Sequence, residues 1–247
     1  MEINQIFYKE ELPDAKVIFF IICAILIEFV ILSRVALGEI FNFSQDAQSN
    51  SFILSLLFTA YLNFFLIASI LFRFKKYFFS ILKKPVENFF KGFLFYLLLI
   101  PFLILITLST HSFLKSVGIS PKLQDVVLLS LQLDSNISLI LFFIVSVFIA
   151  PIAEEIIYRG VVYKALKRKF SVTQSIFISS AVFASLHFEF SYFPALFFLG
   201  MVLAFLFEKY NNLWVSIGVH FFNNFFASLV LLVLRFTNIV DINQLNI

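Results

Sequence analysis

Three short polar patches interrupt an otherwise apolar C-terminal half. They are Glu154-Glu155-Ile156-Ile157-Tyr158-Arg159, Phe183-Ala184-Ser185-Leu186-His187 and His220-Phe221-Phe222-Asn223-Asn224. An ionisable side chain in lipid is costly, so each one asks for a function or a partner. Glu155 and Arg159 stand four apart, and a helix sets them on one face in the better order for pairing. Glu154 then points about 100° away. Left free of that cation, it can serve as a general base. His220 and Asn224 also stand four apart and can aim at one small target, as ligands or as hydrogen-bond donors. Asn223 faces elsewhere. Taken singly, each patch has a plainer reading: acids reaching the cytosolic interface, a satisfied structural His187, an interhelical hydrogen-bond pair. His111 has no acidic or amide partner at helical spacing and reads as interfacial.

Taken together, the patches suit attack of water on a carbonyl group inside a membrane. Two versions are open. Glu154, His187, His220 and Asn224 could hold zinc or another divalent metal, which takes three protein ligands and keeps a position for water. Alternatively, Glu154 and His187 activate water without a metal, while His220 and Asn224 stabilise the oxyanion.

The elements that must position these residues are membrane helices. Of 247 residues, 61% are hydrophobic, 38 are Phe, and only 13% are charged. A soluble domain carries about 25% charge, so lipid is the expected solvent. The net charge of +3 is too small to suggest nucleic acid. One cysteine, Cys23, excludes an intrachain disulfide and cysteine-based metal sites. Seven apolar runs are candidate spans: Val17–Leu32, Phe52–Phe72, Phe93–Leu114 with a kink expected at Pro101, Ile137–Ala153, Val172–Phe188, Phe190–Phe207 and Leu213–Leu234. The expected fold is therefore all-α, a polytopic bundle of about seven spans. Residues 1–136 read as a transmembrane scaffold and 137–235 as the catalytic core, within one integral membrane domain. The stretch from Lys115 to Asn136 is expected to hold a short interfacial helix.

Two basic loops set the orientation. One holds Arg73, Lys75, Lys76, Lys83, Lys84 and Lys91; the other holds Arg159, Lys164, Lys167, Arg168 and Lys169. The positive-inside rule places both in the cytosol, with the N-terminus inside and the C-terminus outside. Arg34 alone dissents. The first run is preceded by Glu10, Glu11 and Asp14 and interrupted by Glu28, so it reads as a retained span rather than a cleaved signal. Depth creates a tension. At 1.5 Å per residue, His220 lies ~10 Å into its helix from the cytosolic side and His187 ~22 Å into its own. For the two to meet, the fifth helix must start outside the bilayer, tilt, or border a water-filled cavity.

The ordered trio resembles the CPBP family, the CAAX-protease and bacteriocin-processing (Abi) intramembrane proteases. That family's pattern is E-E-x-x-x-R, F-x-x-x-H and H-x-x-x-N/D. It is matched here by Glu154-Glu155-xxx-Arg159, Phe183-xxx-His187 and His220-xxx-Asn224. The resemblance covers roughly Ser138–Leu234. It implies a helical membrane endopeptidase with Glu154, Glu155, His187, His220 and Asn224 as site residues and Arg159 and Phe183 as support. It also implies a peptide or protein substrate near the membrane, lipidated or a bacteriocin precursor, and a bacterial cytoplasmic membrane location. Relatives are named metalloproteases, and a metal-free glutamate mechanism is also proposed for them. Two rival readings stand beside this one. A transporter would favour paired Gly/Pro helix breaks, and the 6 Gly and 6 Pro do not recur symmetrically. A non-catalytic immunity protein would favour loss of a motif residue, and none is lost.

Overall fold

The computed structural model describes residues 58–237 except 59, 62, 123, 125–126, 128–130 and 132–135. Every regular element among the described residues is helical. We number the helices α1 Asn63–Arg73, α2 Lys75–Ile81, α3 Pro85–Ser116, α4 Asn136–Leu166, α5 Val172–Ser185, α6 Phe193–Tyr210 and α7 Leu213–Thr237. A 3-10 turn, Phe190–Tyr192, leads into α6. Helices α3, α4, α6 with its leading turn, and α7 are long and apolar enough to cross a membrane, and α1 and α5 are shorter apolar helices. Among the described residues the fold is all-α, and the molecule is an integral membrane protein. The expected span Val17–Leu32, the first part of Phe52–Phe72 and much of the segment after Lys115 lie outside the described residues.

Helix boundaries depart from the apolar runs in three informative places. The basic loop after Arg73 contains α2. Phe74, Tyr77, Phe78 and Ile81 fall at i, i+3, i+4 and i+7, and all four are buried. Their stripe packs on Ile156, Ile157 and Val161 of α4, while lysines occupy the other face. Helix α4 does not stop near Glu154 but runs on to Leu166. Its charged residues are therefore interior, and Glu155 and Arg159 are almost wholly buried. Helix α5 is shorter than its run. The Ser171 hydroxyl accepts from the Gln174 N–H and the Gln174 side chain accepts from the Ser171 N–H, a capping box that fixes its start. It ends at Ser185 because the chain turns, with Phe188 in the left-handed region at φ 55°.

Close backbone contact fixes α7 against α3. A Cβ at Gly92 would lie 2.5 Å from the Val215 carbonyl oxygen, and one at Gly218 would overlap the Phe89 carbonyl. Only glycine allows the helices to cross here. The start of α7 is tied as well. Asn212 accepts from the Trp214 N–H at 2.9 Å and donates to the Lys83 carbonyl at 2.7 Å, while Trp214 Nε1 donates to Leu82. These contacts set the rotation of α7, and with it the direction of His220.

Candidate active site

Helix α4 carries both glutamates on six α-helical residues, Ala150–Glu155, between two π-helical stretches, Val145–Ile149 and Ile156–Tyr163. Single π turns concentrate at functional sites, because an inserted residue re-aims the side chains around it. The two acids point to different neighbours. Glu155 Oε1 accepts from Arg159 Nη1 at 3.0 Å and faces His220 Nδ1 at 3.0 Å. Arg159 Nη2 donates to the Gly200 carbonyl of α6 at 3.2 Å. Its guanidinium lies 4.6 Å from the centre of the Phe183 ring. A Cβ on Gly200 would press within 3.2 Å of Phe183 and Ser180, so the bare backbone there lets α5 and α6 approach.

Phe183 is fully buried at the centre of the site. Its ring is 4.6 Å from that of His187, 5.7 Å from that of His220 and 5.2 Å from that of Tyr158. It therefore holds both imidazoles and the guanidinium in place through one apolar side chain. His187 sits in the turn after α5, with Nδ1 2.7 Å from the Phe183 carbonyl. A carbonyl can only accept, so Nδ1 carries the proton. The Glu155 carboxylate imposes the same tautomer on His220. Both rings then turn Nε2 toward one atom. Glu154 Oε2 is 3.8 Å from His187 Nε2 and 3.9 Å from His220 Nε2. It has no hydrogen-bond donor among the described residues. Glu154 and His187 are each about a quarter exposed, whereas His220 is buried.

So Glu154, His187 and His220 come together, and Glu155, Arg159 and Phe183 surround them. The groups meet although α5 still sets His187 ~21 Å from its start; α4, running on to Leu166, carries Glu154 well inside its own helix as well. Asn224 points elsewhere. Its Nδ2 donates to the Ser146 carbonyl of α4 at 2.9 Å, and its Oδ1 accepts from Asn223. His111 packs edge-on against Tyr192 of the turn before α6, its ring centre 5.1 Å from the tyrosine's. The donor types, a carboxylate oxygen and two Nδ1-anchored imidazoles, are those zinc favours. As placed, however, no group of three or more His, Cys, Asp or Glu among the described residues could hold a metal ion. Three participants went unread in the sequence: the Gly200 carbonyl, Ser146 and Pro151. Backbone acceptors leave no mark in side-chain spacing. Pro151 was a usable signal, since a proline inside a helix frees a carbonyl.

Comparison with known proteins points to the same region. Residues 136–226 match the family "Type II CAAX prenyl endopeptidase Rce1-like". A Bacillus subtilis (strain 168) protein named "Putative membrane peptidase YdiL" is 33% identical over 87 residues, 35% of this chain. The chain spans about a third of the length of that curated relative, 36%. No solved structure matches significantly.

Proposed function

With a CAAX prenyl endopeptidase-like domain in residues 136–226 as the premise, we propose that this protein is a membrane-embedded endopeptidase acting on a peptide or protein near the bilayer. One observation carries the reading: the unpartnered Glu154 Oε2 faces two imidazole nitrogens whose other nitrogens are anchored. Spacings of 3.8–3.9 Å exceed a direct hydrogen bond and suit a shared partner between the groups. A water there would donate one proton to Glu154 and the other to His187 Nε2. As its oxygen attacks the scissile carbonyl carbon, Glu154 takes one proton. The C–N bond of the resulting tetrahedral species breaks, and the departing amine recovers that proton from Glu154. His220, braced by Glu155 and Arg159, would face the developing oxyanion, and with both ring nitrogens protonated it would donate from Nε2.

The zinc version would use Glu154, His187 and His220, and a bound ion would polarise the carbonyl and acidify the water. It would require the three groups to draw in from their present positions. The exposed apolar flanks of the bundle favour a substrate that is apolar or lipidated where it enters. The positive loops favour an N-terminus inside, and the family resemblance favours a bacterial cytoplasmic membrane with the cavity open on its cytosolic side. The test is purified protein in detergent with a panel of membrane-anchored peptides, run with chelator and with metal analysis. Cleavage lost in Glu154→Gln and His187→Ala supports the reading. Wild-type rates in both variants would refute it. Chelator-resistant cleavage by metal-free protein would remove only the zinc version.

A further inference from the structure

Asn224 touches the Ser146 carbonyl, and the reason lies in the backbone of α4. In the π stretch Val145–Ile149 the Ala150 N–H reaches back five residues to the Val145 carbonyl. The same register would give Ser146 the N–H of residue 151. That residue is Pro151, which has none. The Ser146 carbonyl is thus left without its partner in the helix, inside an apolar bundle where an unpaired carbonyl is costly. Asn224 Nδ2 fills the gap from α7 at 2.9 Å. The amide is held in that orientation by Asn223, whose Nδ2 donates to Asn224 Oδ1 at 3.2 Å.

We infer that Asn224 is a positioning residue: it clamps the proline-freed Ser146 carbonyl and so fixes the turn that aims Glu154 at His187 and His220. This rests on the endopeptidase reading for its functional consequence. Pro151 and Glu154 lie three residues apart in one short α-helical segment, so a register slip at Ser146 rotates the carboxylate. The clamp is also the only direct hydrogen bond from the α7 amide pair to α4 among the described residues. It therefore adds a second tie between the His220 helix and the Glu154 helix, beside the Glu155–His220 contact.

The clamp predicts coupling between two residues that do not need to touch. Replacing Pro151 restores an N–H at position 151, which can serve the Ser146 carbonyl from within α4. The experiment is a double-mutant cycle of Asn224→Ala and Pro151→Ala in the full chain. It is read twice, as turnover of a peptide the wild type cleaves and as the thermal unfolding midpoint in detergent. Asn224→Ala should lower turnover about 10²-fold with Pro151 present, the scale of a misplaced reacting group. In the Pro151→Ala background the loss should shrink to under about tenfold, and the midpoint drop should shrink in parallel. Equal losses in both backgrounds would overturn the proposal and return Asn224 to direct contact with substrate. If Asn224→Ala fails to fold, Asn224→Leu, close in size and without a donor, takes its place in the cycle. If the wild type cleaves nothing, the endopeptidase reading falls while the midpoint cycle still decides the clamp.

Discussion

Two polar clusters sit on α4, and they are built on opposite plans. Toward its C-terminal end, Tyr163 donates to Glu208 Oε2 at 2.9 Å, Lys167 donates to Glu208 Oε1, and Lys164 donates to Asn211 at 3.1 Å. Donors and acceptors match there. Two helical turns earlier, Glu154 Oε2 and two imidazole nitrogens face one another with no donor between them. A buried polar atom without a partner costs free energy, and the proposed chemistry would offset that cost by placing a further group there. The first cluster joins α4 to α6. The second sets one carboxylate oxygen against two imidazole nitrogens, the arrangement the proposed hydrolysis would use. Both are polar and on one helix, so only the pairing of individual atoms tells them apart.

The contrast can be tested most sharply at Glu154. Glu154→Gln should lower turnover by about 10²–10⁴-fold, the scale of a lost general base, while the unfolding midpoint stays or rises. A fall in the midpoint would make Glu154 one more structural acid. The next largest effect belongs to Arg159. Arg159→Ala leaves Glu155 buried without its cation and should destabilise by about 3–5 kcal/mol, seen as loss of folded protein in detergent before any assay. At the α3–α7 crossing, Gly218→Ala forces a methyl into the Phe89 carbonyl. It should cost about 1–3 kcal/mol as an overpacked contact and lower turnover as His220 shifts. The smallest effect is expected in the matched cluster. Tyr163→Phe removes one hydrogen bond to Glu208 and should cost about 1 kcal/mol, read as a lower midpoint with turnover unchanged.

Helix type and the identity of the converging side chains were legible because both are written in residue chemistry. Long uncharged runs can only be helices in lipid, and acids or histidines within them need a reason to be there. The ends of helices were less legible. Helix α4 passes through Glu155 and Arg159 because each neutralises the other, so a charged stretch that looked like a boundary is interior. Helix α5 stops before Leu186-His187-Phe188 with no glycine or proline to announce it, and an apolar run cannot reveal a turn of that kind. Helix α2 carried a clear apolar stripe, but its lysines marked the segment as a loop. The partner of Asn224 depended on a π register that no spacing rule anticipates. Its only trace was Pro151.

The length of α5 has a physical consequence for the surrounding lipid. Fourteen residues cover ~21 Å, against a hydrocarbon thickness of ~30 Å. Laid across a bilayer, a helix this short would leave a mismatch of roughly 9 Å, which bilayers accommodate by thinning locally or by admitting headgroups and water at one end. His187 lies just past the C-terminal end of that segment. Hydrolysis deep in a membrane must obtain its second reactant from somewhere. A dimple in the bilayer beside α5 would supply it without a channel through the protein, and the rate of such an enzyme would then depend on the acyl-chain length of the lipids around it.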